Sequence, residues 1–342
     1  MATSDLSAFD DATVAAIESR FALLADYERP ILWQHAALPH FAPLRAWLHK
    51  ELAGLDPNVA RGFVSRLREV DLYTQALAEL ATGYTFRQEG CQVQFNPQLG
   101  QLTPDLLVTS ADGQRLVVEV WRRGLPQATD TRNKQWTELA RRIRRIRQPI
   151  AIAAGSAAHT VVEPPDAPAR QRIEQALRAW LASDAADSTP LVVEGLTFRV
   201  VGTTTNGRAE MLPVRDGATA DRKDVVEAIE RKVRRYRRTV EEMDLPLLVV
   251  ISADPETALD ASLVTSIMAG NNPTSMRIPI NGVGPIDSGP IELRMTNAPP
   301  VFDRALSGVA WLEINDGAHA ELHPYWANPN AAREVQLDRL AD

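Results

Sequence analysis

Two carboxylates stand close together in this chain, in settings where carboxylates are unusual. Asp105 follows Pro104 at the head of the short apolar segment Leu106-Leu107-Val108, and Glu119 interrupts Leu116-Val117-Val118-Glu119-Val120-Trp121. Between them, Asp112-Gly113 is a tight-turn signal, so the two segments read as an antiparallel hairpin. Paired that way, both acids reach one end of the sheet. Two carboxylates from neighbouring strands offer hard oxygens suited to Mg²⁺, which takes one or two carboxylates and fills its shell with water and phosphate oxygens. A metal so held activates water and neutralises a scissile phosphate. The plain alternatives are a turn residue for Asp105 and a water-facing edge strand for Glu119, since a buried charge needs a partner.

A third acid lies upstream. In Arg66-Leu67-Arg68-Glu69-Val70-Asp71-Leu72-Tyr73, Glu69 sits one position before Val70, beside the apolar stripe of a helix. It can point at the sheet edge while Val70 and Tyr73 pack; otherwise it is a surface acid paired with Arg66 or Arg68. Cations follow the hairpin. Between Trp121 and Gln148 lie Arg122, Arg123, Arg132, Lys134, Arg141, Arg142, Arg144, Arg145 and Arg147, against Asp130 and Glu138. Arg122 and Arg123 adjoin the acid-bearing strand, and Lys134, Arg141, Arg142 and Arg145 lie on the following helix, so these six are the candidate nucleic-acid contacts. A solvated helix face is the plain alternative. A second basic cluster runs from Arg222 to Arg238 and contains Lys232.

The elements that must position these groups are legible as patterns. Asp56-Pro57 is an N-cap followed by a helix-starting proline. A helix over about 58–82 carries Phe63, Leu67, Val70, Tyr73, Leu77 and Leu80 on one stripe, with Gly83 as its terminator. Strands are predicted over about 84–88, 91–95, 105–109 and 116–121, then a helix over 131–147 and a strand over 150–154. A helix over 167–182, a strand pair over 191–201, a helix over 221–243, the fully apolar strand 247–251 and a helix over 259–268 come next. Residues 271–290 read as a long loop, 308–314 and 320–323 as strands, and 331–340 as a short helix or tail. The predicted core contains Val70, Tyr73, Leu77, Leu106, Val108, Val117, Val118, Ile143, Ile152, Leu248 and Val250.

The order of helix glutamate, Pro-Asp at a strand and glutamate on the next strand resembles the PD-(D/E)xK nuclease-like superfamily, the restriction-endonuclease-like fold. Residues 56–155 correspond to its αβββαβ core. More closely, the chain resembles a bacterial group in that superfamily. Its members carry a Lys-x-x-Arg/Lys-Tyr helix leading into a Pro-Leu-Leu-Val strand, and an Asn-Pro-x-Ala ending. Here those are Lys232, Arg235, Tyr236, Pro246 to Val249, and Asn328-Pro329-Asn330-Ala331. In active superfamily members a lysine stands two residues after the strand glutamate, where it orients the attacking water and stabilises developing charge. Trp121 occupies that position and can do neither. Lys134 and Lys232 are the candidate replacements; a lysine snorkelling beside Tyr236 is the plain reading of the latter.

The resemblance implies a mixed central sheet flanked by helices, an α/β class with a C-terminal α/β extension. The expected organisation is a helical annex (1–55), a nuclease-like core (56–155) and an extension packed on it (156–342). The implied function is Mg²⁺-dependent hydrolysis of DNA phosphodiester bonds by Asp105, Glu119, Glu69 and Lys232, in a setting such as defence against foreign DNA. The alternative is a nuclease fold that has lost catalysis and binds nucleic acid or a partner subunit; a homo-oligomer is compatible with either.

Composition sets the outer limits. The chain has 342 residues, a formal net charge of −7 and a single cysteine, Cys91, which excludes disulfide frameworks and cysteine-rich zinc sites. Its six histidines, including His319 and His323 before Pro324, form no ligand pattern. No apolar run nears the roughly 20 residues of a membrane helix, and residues 1–11 lack a signal-peptide pattern. A cytoplasmic protein is therefore expected. The net charge alone argues against nucleic acid; the two arginine clusters argue the other way.

Overall fold

The computed structural model describes residues 7–22, 24, 29–125, 127–156, 163–183, 189–212, 222–254, 257, 259–270, 299–314 and 320–335. The architecture is mixed α/β. Five helices come first: α1 (Asp11–Phe21), α2 (Ile31–Ala37), α3 (Ala42–Ala53), α4 (Pro57–Leu67) and α5 (Tyr73–Gln88). The Asp56 carboxylate caps α4, accepting from Asn58 N at 2.8 Å, with Pro57 in the first turn. The predicted single helix over 58–82 is two helices broken at 68–72. Arg68 leaves the helix line to donate to the Ser7 and Ala8 carbonyls and to Asp10, and Tyr73 N closes a new first turn on Glu69 O at 2.8 Å. Those tertiary bonds replace the helical ones given up at the break.

Gly83 is not a terminator; it lies inside α5. A Cβ there would overlap the Phe95 ring, so the bare glycine lets the neighbouring strand come close. Residues 84–88, predicted as a strand, form the last turns of that helix, because they pack on the sheet rather than joining it. The N-terminal helices are more than an annex. Leu32, Trp33, Leu44, Leu48 and Leu52 are buried in the same apolar layer as α5 and the sheet.

Among the described residues the main sheet has six strands: β1 (Gln92–Phe95), β2 (Leu106–Thr109), β3 (Arg115–Arg123), β8 (Leu247–Ala253), β9 (Leu306–Ile314) and β10 (Ala320–Ala327), in the order β1-β2-β3-β8-β9-β10. The β1/β2, β2/β3 and β9/β10 pairs are antiparallel; β3/β8 and β8/β9 are parallel. Alternation assigns the faces. Leu106, Val108, Val118, Val120, Leu248 and Val250 face α5 and the N-terminal helices. Leu107, Val117, Leu247, Val249 and Ile251 face helices α8 (Arg222–Glu242) and α9 (Ala261–Met268).

Between β3 and α8 the chain leaves this sheet and builds a second one. Helix α6 (Gln127–Ile143), strand β4 (Ile150–Ser156), helix α7 (Ala167–Leu181) and strands β5 (Leu191–Val193), β6 (Leu196–Thr203) and β7 (Glu210–Met211) form a four-stranded sheet ordered β5-β6-β4-β7. Its own apolar core contains Trp136, Leu139, Ile143, Ile152, Ile173, Leu177 and Phe198. Helix α6 and strand β4, expected within the 56–155 core, lie in this second unit, and Ile143 and Ile152 belong to its core. The parallel partner of β3 is β8, not β4. A strand inside a parallel stack must be apolar on both faces. Leu247 to Ile251 satisfies that, whereas Ala151 and Ala153 leave one face of β4 half exposed. The 271–290 loop, His319 and the 336–340 part of the predicted tail lie outside the described residues.

Candidate functional site

The β2/β3 register pairs Leu106 with Val118 and Leu107 with Val117, so Asp105 and Glu119 stand opposite one another at the next step. Each carboxylate binds the other strand's backbone. Glu119 Oε1 accepts from Asp105 N at 3.1 Å, and Asp105 Oδ2 accepts from Val120 N at 2.7 Å. The hairpin thus brings the two acids together as its sequence implies. Glu119 points to the α8 face, between Val117 and Trp121, and is 1% exposed. An ionised group in that position requires a partner.

The partner comes from 113 residues away. Lys232 Nζ donates to Glu119 Oε2 at 2.6 Å and stands 3.6 Å from Asp105 Oδ2. Helix α8 delivers it. Val225, Ile229, Val233, Tyr236 and Val240 bury one stripe of that helix against the sheet, and Lys232, one residue before Val233, lies on the flank of the stripe. One turn on, the Tyr236 hydroxyl donates to Thr103 O at 3.0 Å, fixing the turn that enters Pro104-Asp105. Trp121 packs into the apolar layer beneath α8.

A third acid is present, but it is not Glu69. That residue lies exposed in the 68–72 turn between α4 and α5. Glu79, 3% exposed on α5, takes the place. Arg66 Nη1 donates to its Oε2 at 2.6 Å. Gln75 Nε2 donates to its Oε1 at 3.0 Å and to Val120 O at 3.3 Å, tying the helix to the end of β3. The signal for Glu79 was available: a charge inside Ala76-Leu77-Ala78-Glu79-Leu80-Ala81 interrupts a buried run as Glu119 does.

Burial, with the negative charge of Asp105 second, raises the carboxyl pKa of both Glu79 and Glu119; Arg66 opposes the rise at Glu79 and Lys232 opposes it at Glu119. Burial, reinforced by Glu119, likewise holds the Tyr236 phenol protonated. Burial brings the Arg122 guanidinium down to about 10, which leaves it charged at neutral pH.

Most of the six cations expected to contact nucleic acid are neutralised within the protein. Arg122 pairs with Asp254, Arg123 with Asp224 at 2.7 Å, Lys134 with Asp130 at 2.7 Å, Arg141 with Glu138 at 3.2 Å, and Arg142 with Glu174 at 3.4 Å. The first two partners are far away in sequence, at the C-terminal end of β8 and on α8, so local spacing gave no sign of them. Of the six, Arg145 alone is exposed and without an ion pair among the described residues.

Asp105 and Glu119 have the donor chemistry of a two-carboxylate Mg²⁺ site, which needs no third side chain. Among the described residues no three His, Cys, Asp or Glu side chains are grouped to hold a metal. The positive charge that the acids converge on is the Lys232 ammonium.

What the fold and site define is a mixed α/β protein with an acid–lysine cluster at the mouth of a hairpin. The chain matches no family model, no curated protein and no solved structure. Among the described residues no helix is long and apolar enough to cross a membrane.

Proposed function

We propose that this protein is a nuclease-like hydrolase acting on DNA phosphodiester bonds at the Asp105–Glu119–Lys232 cluster. The observation that carries the reading is the placement of Lys232. A lysine amine stands within 2.6 Å of the strand glutamate and 3.6 Å of the Pro-Asp aspartate, although the chain has tryptophan two residues after the glutamate. Element order supports it too: α5, β1, β2, β3, then α8 and β8 repeat an αβββαβ arrangement once the inserted second sheet is set aside.

In this reading Asp105 and Glu119 would hold Mg²⁺, which when bound lowers the pKa of an attacking water and neutralises phosphate charge. Lys232 then donates to the charge that develops on the phosphoryl oxygens. Glu79, kept in place by Arg66 and Gln75, sets the negative field that Asp105 experiences. Tyr236 positions Asp105 through Thr103. Action against foreign DNA is the setting this reading suggests.

The test is cleavage of supercoiled and single-stranded DNA with Mg²⁺ or Mn²⁺. Wild type is expected to cut, with Asp105→Ala and Lys232→Ala each reduced on the order of 10²-fold or more. Wild-type activity unaffected by either substitution refutes the assignment. A second reading, a binding protein in which the cluster only closes an ion pair, is favoured by the saturation of Glu119: both its oxygens already accept hydrogen bonds. It is the reading that survives if no DNA is cut under any metal.

A further inference from the structure

The second sheet takes no part in the acid–lysine cluster, and its surface shows a use for it. One face is covered by α6 and α7. The other carries the half-buried Ala151 and Ala153 on β4 and Thr197 on β6, with Arg199 and Val201 exposed beside them. Residues 124–221 carry 13 Lys and Arg against 11 Asp and Glu, while the whole chain stands at −7. The positive excess is not evenly shared. On the helices the cations are consumed locally: Arg141 and Arg142 by Glu138 and Glu174, Arg178 by Glu174, and Arg172 by Glu194.

Among the described residues of this segment, four exposed arginines escape this pairing. Arg145, Arg147, Arg199 and Arg208 are exposed and make no ion pair among the described residues. Three of them are drawn together by backbone bonds. Ala209 N donates to Ile146 O at 3.0 Å and Thr204 N to Pro149 O at 3.0 Å, which lays the loop bearing Arg208 against the segment bearing Arg145 and Arg147. The Thr204 hydroxyl, donating to Arg208 O at 2.6 Å, and the Asn206 carboxamide, accepting from Arg208 N at 3.1 Å, hold that loop's shape. The loop's own acid, Glu210, is engaged by Asn206.

We infer that the inserted sheet is a nucleic-acid-docking module, and that Arg145, Arg147 and Arg208 grip the phosphodiester backbone of DNA, with the exposed Arg199 extending the contact along β6. Unpaired guanidiniums suit phosphate oxygens in fixed fork geometry. Among the described residues no aromatic side chain lies on that face, Phe198 and Trp180 being turned into the core, so the contact is to the backbone and binding is independent of sequence. The inference rests on the arrangement of charge and stands apart from hydrolysis at Lys232.

Fluorescence anisotropy of a labelled DNA duplex across a salt series tests it. The triple variant Arg145→Gln, Arg147→Gln, Arg208→Gln should bind about tenfold more weakly or worse, and the slope of log affinity against log salt should flatten by about 2–3. The control Arg141→Gln, Arg178→Gln removes two cations that already have partners and should leave both quantities unchanged. Wild-type binding by the triple variant, an equal loss in the control, or loss of binding to phosphatidylserine vesicles with DNA binding intact overturns the inference. Should circular dichroism show the triple variant unfolded, the single variants decide, each expected to lower the slope by about one. Asp105→Asn separates the two proposals: it is expected to abolish cleavage and keep DNA binding. Tight binding with no cleavage by wild type sinks the nuclease reading and leaves this one standing.

Discussion

At the scale of single residues, the site shows how a buried charge is decided by its neighbours. Glu79 and Glu119 both have raised pKa values, burial being the larger cause and Asp105 the second. A carboxyl whose folded-state pKa is raised contributes stability that is full below its unfolded value near 4.5 and is lost as pH rises through the folded value. Glu79→Gln keeps the shape and removes the titration. In thermal melts across pH, wild type should lose stability relative to that variant as pH rises from about 4.5. A difference that stays constant over pH refutes the assigned shift. Tyr236→Phe removes one hydroxyl that donates to Thr103 O. A cost of about 1 kcal/mol is expected, and the proposed hydrolase reading further requires a disproportionate fall in any DNA cleavage, because the Pro104-Asp105 turn loses its anchor. A melt shifted as expected with cleavage unchanged would leave Tyr236 a packing residue only.

At the scale of elements, two features organise the approach to the site. Helix α5 lies close on the sheet because Gly83 presents no side chain to Phe95. Gly83→Ala inserts a methyl group where the Phe95 ring sits, and the gain in helix propensity, about 1 kcal/mol, does not offset overpacking of about 1–3 kcal/mol. Chemical denaturation should therefore show net destabilisation, and a more stable variant would mean that the ring moves aside freely. Helix α8 acts differently. Its exposed flank is laced by Glu230–Arg234, Arg237–Glu241 and Arg238–Glu242 pairs one turn apart, while its buried stripe fixes the rotation that sends Lys232 into the cluster. Exposed pairs of this kind contribute only a few tenths of a kcal/mol each, so burial of Ile229, Val233 and Tyr236 is what sets the lysine's position.

At the scale of the whole molecule, the chain folds around two separate sheets with separate cores. Phe198 is fully buried in the second. Phe198→Ala should destabilise that unit by about 3–5 kcal/mol and speed hydrogen exchange in β4, β5 and β6, while β3 and β8 keep their protection. Equal loss of protection in both sheets would show that they unfold as one cooperative unit.

Much of this was readable in the residues themselves. Period-two alternation, the Asp112-Gly113 turn and the apolar run at 247–251 announce the hairpin and the buried strand. The pairing of Asp105 with Glu119 follows, because cross-strand register is a local matter once the turn is placed. Lys232 could be named only as a candidate, since nothing in its neighbourhood says which residue it meets. Glu69 reads as the helix acid because a continuous apolar stripe hides the break at 68–72, and that break is held by Arg68 reaching carbonyls some 60 residues earlier. The parallel partner of β3 and the neutralisation of Arg122 and Arg123 were equally hidden. Local spacing determines which residues share a strand or a helix face. Contacts that close across more than a hundred residues are settled only when two apolar faces find each other, and here that packing brought the lysine to the acids.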